Sequence, residues 1–234
     1  MENLNYLSQK SVTKVDVFHT LFSKIYFWMT VALLTTAGVA YWTVANIELF
    51  EFMYTSKWYF FGLIMLQLFI VGGLSGAIFD MKQSTAEILF ILYSGLTGFT
   101  FSSIFIIFTV DSIAFTFLVT ASTFALMSIY GFITKSDLSK WGNILLMGVL
   151  GLIVSSIINI FYDNSTFYWV TSYLGVVIFV GLIAFDTQKI KILAEEIDFQ
   201  GDEINKLAIL GALTLYLDFV NLFLYLLRFF GKRK

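Results

Sequence analysis

The sequence predicts an all-α integral membrane protein with seven transmembrane helices, and three observations carry that prediction. Hydrophobic residues make up 59% of the 234 residues and charged residues only 13%, about half the roughly 25% of an ordinary soluble domain. A soluble globule of this size could not hide so much apolar surface from water. The apolar residues fall into seven stretches of roughly 20 residues, each able to cross a hydrocarbon core of about 30 Å as a helix. They lack the short alternating segments of about ten residues that mark a transmembrane barrel.

The stretches are 25–44, 58–79, 85–108, 113–133, 143–161, 168–188 and 207–229. Only Thr109–Val110–Asp111–Ser112 separates the third from the fourth, so these two form a tight helical hairpin. Residues 1–24 are polar and mixed in charge, with no short apolar core and small-residue cleavage site after them. They read as an N-terminal tail rather than a signal peptide. Residues 25–229 form one membrane domain, and 230–234 a short basic C-terminal tail. Trp58, Trp141, Tyr162, Tyr168 and Trp169 sit at span ends, the depth at which aromatic side chains favour the headgroup region.

Orientation follows from the connecting lysines. Lys10, Lys14 and Lys24, then Lys82, then Lys135 and Lys140, then Lys189, Lys191 and Lys206 all fall on one side, against Lys57 on the other. The positive-inside rule places that side, and the N-terminus, in the cytoplasm. Arg228, Lys232, Arg233 and Lys234 run against this pattern, because seven crossings put them outside. A re-entrant final pair, with both termini cytoplasmic, is the alternative topology.

Composition excludes several functions. The formal net charge is −2, without the clustered cations that nucleic acid binding needs. The chain has no Cys and one His, His19, so disulfides, thiolate chemistry and histidine-rich metal sites are absent. With no Pro, any helix break must come from Gly or from polar side chains.

In lipid the informative residues are the small and polar ones, which pack between helices. Gly72-x-x-x-Gly76 would let two backbones approach closely. Gly148, Gly151, Ser155 and Asn159 align on the fifth segment, and Thr116, Thr120 and Thr123 on the fourth. The seventh segment is different in kind. Thr214, Asp218, Asn221 and Tyr225 make one continuous polar face, at the i, i+4, i+7, i+11 spacing of a helix. Asp218 lies mid-segment, where an unpartnered carboxylate is costly, so the face must look into protein or a wet cavity. Asp186, in Ala184–Phe185–Asp186–Thr187–Gln188, is its candidate partner. Asp186 sits near a span end, so contact requires the sixth segment to end early or bend inward. Two carboxyls that met there would titrate as one coupled pair sharing a proton. With nearby Thr and Asn oxygens they would also suit a hard cation such as Ca²⁺.

These residues resemble the Bax inhibitor, or transmembrane Bax-inhibitor-motif, family. The likeness rests on Ala184–Gln188 ending the sixth span and on Leu215-Tyr-Leu-Asp-Phe-Val-Asn-Leu-Phe223 followed by Leu226-Leu-Arg-Phe-Phe-Gly231. Tyr130–Gly131 through Lys135-x-Asp137-Leu138-Ser139, leading into a Gly-rich span and Asn159, fits the same pattern. The resemblance implies seven helices with the last one central and wrapped by the other six. It also implies a pH-sensitive calcium leak gated by Asp186 and Asp218, with Thr187, Thr214 and Asn221 as a supporting polar face. Bacterial relatives often end the second helix in basic residues that pair with the sixth-helix aspartate. Here Asp80–Met81–Lys82 leaves Lys82 as the one candidate charge partner.

The expected protein is thus a bacterial inner-membrane monomer working on Ca²⁺ and H⁺ in the lipid bilayer, with no cofactor, no nucleic acid partner and no enzyme activity. Two other functional classes compete with this one. A non-transporting membrane scaffold or protease modulator is compatible with the family. An intramembrane aspartyl protease is disfavoured, since Asp218 follows Leu215-Tyr-Leu rather than Gly-x-Gly and the usual proline-containing motif is absent. Gly73-Leu-Ser-Gly76 is an equally weak serine-protease match, because His19 lies in the tail.

Overall fold

The computed structural model describes residues 2–55, 57–162, 164–196 and 202–234. Most of the described residues lie in eight helices: α1 (Glu2–Ala45), α2 (Ile47–Thr55), α3 (Lys57–Ala77), α4 (Gln83–Ile107), α5 (Val110–Ile133), α6 (Ser139–Phe161), α7 (Ser165–Glu196) and α8 (Asp202–Phe230). Extended pairing among the described residues is confined to a single bridge between Phe108 and Arg233. All-helical structure is what lipid requires, since a helix satisfies its backbone hydrogen bonds within itself.

Among the described residues, six helices are long and apolar enough to cross a membrane: Phe18–Ala45, Gln83–Ile107, Val110–Ile133, Ser139–Asn159, Ser165–Glu195 and Asp202–Phe230. The apolar part of α3, Phe61–Ala77, is shorter. The last helix stands apart in its surroundings. In α8, 72% of the apolar window is buried, against 11–39% in the other five.

Several boundaries differ from the sequence expectation. The polar N-terminal stretch is continuous with the first span in one helix, α1. The short helix α2 was not expected. At the other end, α7 runs on to Glu196 and α8 begins at Asp202. Lys189, Lys191 and Glu195 are therefore helical rather than part of the expected connection between the sixth and seventh spans, and Asp198 of that connection lies outside the described residues. Asp202 and Glu203 occupy the first turn of α8, where their charge complements the positive end of the helix dipole. The connection between α4 and α5 is as short as expected, Phe108 and Thr109 alone.

The chain divides into two compact units. One comprises Met1–Ile106 with Leu193–Leu213, the other Ile107–Ile192 with Thr214–Lys234. In the first, α1 and α4 touch through a glycine. A β-carbon on Gly98 would crowd the Thr36 carbonyl and Val39, and the Thr36 hydroxyl donates to the Ser94 carbonyl at 3.0 Å. Lys24 donates to the Asn205 side chain at 2.6 Å, and Asn205 to Gln83 at 2.9 Å. The Gly72-x-x-x-Gly76 expectation is corrected here. A β-carbon on Gly72, Gly73 or Gly76 would meet nothing within 4 Å, so these glycines mediate no close helix approach.

In the second unit, α5 and α7 meet at Gly131, where a β-carbon would overlap the Ala184 backbone. The basic C-terminus folds back on the α4–α5 turn. The Thr109 amide donates to the Lys232 carbonyl at 2.9 Å and the Lys234 amide to Ile107 at 3.0 Å.

Candidate functional site

The candidate site is built by four consecutive residues of α7, all in the second unit. Successive side chains on a helix point about 100° apart, so Phe185, Asp186, Thr187 and Gln188 reach different neighbours. The Phe185 ring lies against Gly142 of α6, where any β-carbon would collide with it. The fully buried Thr187 hydroxyl lies 2.9 Å from that of Ser128 on α5 and donates to its own Ile183 carbonyl at 2.7 Å. Gln188 clasps the α5–α6 loop: its Nε2 donates to the Ser136 carbonyl at 2.9 Å, and its Oε1 accepts from the Leu138 amide at 2.8 Å.

Asp186 is the member of the run that faces α8. Its carboxyl lies within hydrogen-bonding reach of the Asp218 carboxyl. The contact is made without an early end to α7. The helix continues for ten residues beyond Asp186, about 15 Å at 1.5 Å per residue, so Asp186 is not at a helix end.

Asp218 is only 5% exposed, and its Oδ2 is buried without a hydrogen-bond partner. The neighbouring Asp186 carboxyl is itself an acceptor unless a proton lies between the two. Beside Asp218, Phe219 fixes α8 against α5 through rings 5.6 Å from Phe124 and 5.4 Å from Phe117.

The pair opens on a cleft of about 590 Å³ between α6, α7 and α8. Asp186, Lys189, Asp218, Asn221, Tyr225 and Ser156 supply its polar groups, while Leu146, Leu152, Ile153 and Phe179 are among its apolar walls. Asn221 donates to the Leu217 carbonyl at 2.8 Å. The Tyr225 ring stacks on Phe179 at 5.8 Å and fills the space left by Gly175. Arg228, one turn further, lies over Tyr225 at 4.7 Å and over Tyr168 at 4.9 Å, and donates to the Ser172 hydroxyl at 3.2 Å.

Of the residues singled out from the sequence, Asp186, Asp218 and Asn221 come together at the cleft. Thr214 is half-buried one turn earlier on α8, and Thr187 turns to α5. Lys82 is exposed in the turn between α3 and α4. The cation whose charge acts on Asp186 is Lys189, three residues along the same helix. Its i+3 spacing was the available signal, hidden by reading that stretch as loop. The contacts of Phe185 with Gly142 and of Gln188 with the α5–α6 loop carry no signal in the sequence itself.

A chain whose described residues are helical and include six span-length apolar helices is an integral, multi-pass membrane protein. The particular family is settled by comparison. The family model described as inhibitor of apoptosis-promoting Bax1 matches residues 18–234, and the chain belongs to this Bax inhibitor family. It is 47% identical over 216 residues to the inner membrane protein YbhL of Escherichia coli, covering 92% of each chain. It is also 43% identical over 212 residues to a protein of Borreliella burgdorferi (91% of each). A Rickettsia prowazekii protein is 42% identical over 216 residues, covering 90% of this chain and 89% of its own.

Proposed function

We propose that this protein is a pH-sensitive calcium leak of a bacterial inner membrane, with Asp186 and Asp218 as its proton-operated gate. It crosses the membrane seven times, with the N-terminus in the cytoplasm and α8 as the central helix, a place that its heavy burial supports. The basic C-terminus, held to the α4–α5 turn, then lies on the outer face. The single observation that carries the reading is the meeting of the two carboxyls at the floor of a cleft, with one buried oxygen lacking a donor.

A proton shared between the carboxyls holds α7 and α8 together. Its loss leaves two like charges in contact, a repulsion that biases a two-state equilibrium toward separation. The Ca²⁺ ligands on offer are few. Among the described residues no three acidic or histidine side chains converge, whereas Ca²⁺ held tightly takes six to eight oxygens. That donor set favours transient passage over tight retention.

The test is calcium entry into proteoliposomes across a pH series. Wild-type protein should leak more as pH rises, and Asp186→Asn and Asp218→Asn should flatten the dependence. An unchanged pH profile in both variants sinks the gate.

A further inference from the structure

The cleft is much larger and more apolar than a bare cation needs, and its acidic charge is gathered in one pair of side chains. About 590 Å³ falls within the range of pockets that hold small organic molecules, roughly 300–1,000 Å³. Leu146, Leu152, Ile153 and Phe179 wall it, and Asp186 and Asp218, whose carboxyls meet, line it together. Lys189 is exposed, so its ammonium belongs to the watery rim rather than to the apolar interior of the cleft.

A ligand complementary to this arrangement has one strong N–H donor with positive charge and a compact hydrocarbon body. The ammonium meets the carboxyl pair by a charge-assisted hydrogen bond, and Tyr225 and Phe179, two turns along α8 and α7 from the pair, add wall for the hydrocarbon body. The hydrocarbon replaces lipid or water against the apolar walls. We propose that the Asp186–Asp218 cleft is a binding site for lipophilic primary ammonium ions. The proposal uses the same acid pair as the leak but does not depend on transport.

Equilibrium dialysis of radiolabelled 1-adamantylammonium against the purified full chain in detergent tests it, with protein-free micelles as the baseline. Saturable binding is expected. Uncharged 1-adamantanol, and the N,N,N-trimethyl derivative that lacks N–H donors, should each bind about tenfold more weakly or worse. Ile153→Trp enlarges one wall of the cleft while leaving both carboxyls in place, and should lower affinity at least about tenfold while the protein still elutes as wild type on size exclusion. Asp218→Asn, checked for folding in the same way, should lose at least about tenfold in affinity.

Equal binding of the alcohol, full binding by Ile153→Trp, or no saturable binding each overturns the site. Ammonium binding without calcium flux would overturn the leak and leave this site standing, and flux without ammonium binding would do the reverse.

Discussion

Gly131 of α5 lies so close to Ala184 of α7 that a β-carbon at residue 131 would overlap the Ala184 carbonyl oxygen. The atom in the way is backbone, so no side-chain rotation relieves it, and α7 must shift just before Asp186. Gly131→Ala should cost about 1–3 kcal/mol by overpacking. In a chain of this length that lowers the melting temperature by about 2–4 °C per kcal/mol. Gly151→Ala and Gly76→Ala, where a β-carbon meets nothing within 4 Å, should be neutral or stabilise by about 0.5–1 kcal/mol through helix propensity. Thermal melting in detergent compares the three. Equal melting temperatures would mean the α5–α7 contact is not tight.

Gln188 makes its two hydrogen bonds to backbone groups of the loop that joins α5 to α6. Gln188→Ala removes both and leaves the Leu138 amide and Ser136 carbonyl to find other partners. At about 0.5–1.5 kcal/mol net per hydrogen bond, the loss should be about 1–3 kcal/mol, with faster hydrogen exchange at residues 134–138. Gln188→Glu keeps an acceptor for Leu138 but not a donor for Ser136, so it should fall between wild type and alanine. Exchange unchanged in the alanine variant would remove the clasp.

What could be read from the sequence follows from what lipid makes costly. A carboxyl at mid-span needs protein around it, so Asp218 declared itself, and the three residues that share its helical face narrowed where the site must be. Asp186 stood out for the same reason, but its depth did not. Lys189, Lys191 and Glu195 are the charges that usually announce a loop, yet α7 carries them as helix to Glu196, which sets Asp186 well inside the helix. The glycines mark the opposite limit. Gly131 presses on a neighbouring backbone while Gly72 and Gly76 face open space, and one residue type at similar spacing carries no mark of which it will be. Phe185, Thr187 and Gln188 each serve a different neighbour, an assignment that only the packing of α5, α6 and α8 around α7 can make.

The α5–α6 loop carries a second acid that should titrate independently of the cleft. Asp137 Oδ1 accepts from the Ser139 amide at 2.9 Å, at the start of α6. That backbone hydrogen bond, then the Ser139 hydroxyl, and then the charge of Lys140 hold the exposed Asp137 carboxyl below its ordinary value of 3.8. A carboxyl held low in the folded state contributes order that is fully present above its ordinary value and is lost as pH falls through the folded one. The Ser139 amide resonance of labelled protein should therefore stay constant through the neutral range and move only below about pH 4. Asp137→Asn keeps an oxygen for the amide but cannot ionise, so it should hold the resonance constant through the acid range as well. Because Asp137 is absent from the residues that line the Asp186–Asp218 cleft, the same variant should keep the wild-type pH profile of calcium entry. A flux profile that moved with Asp137→Asn would transfer the pH sensing from the carboxyl pair to this loop.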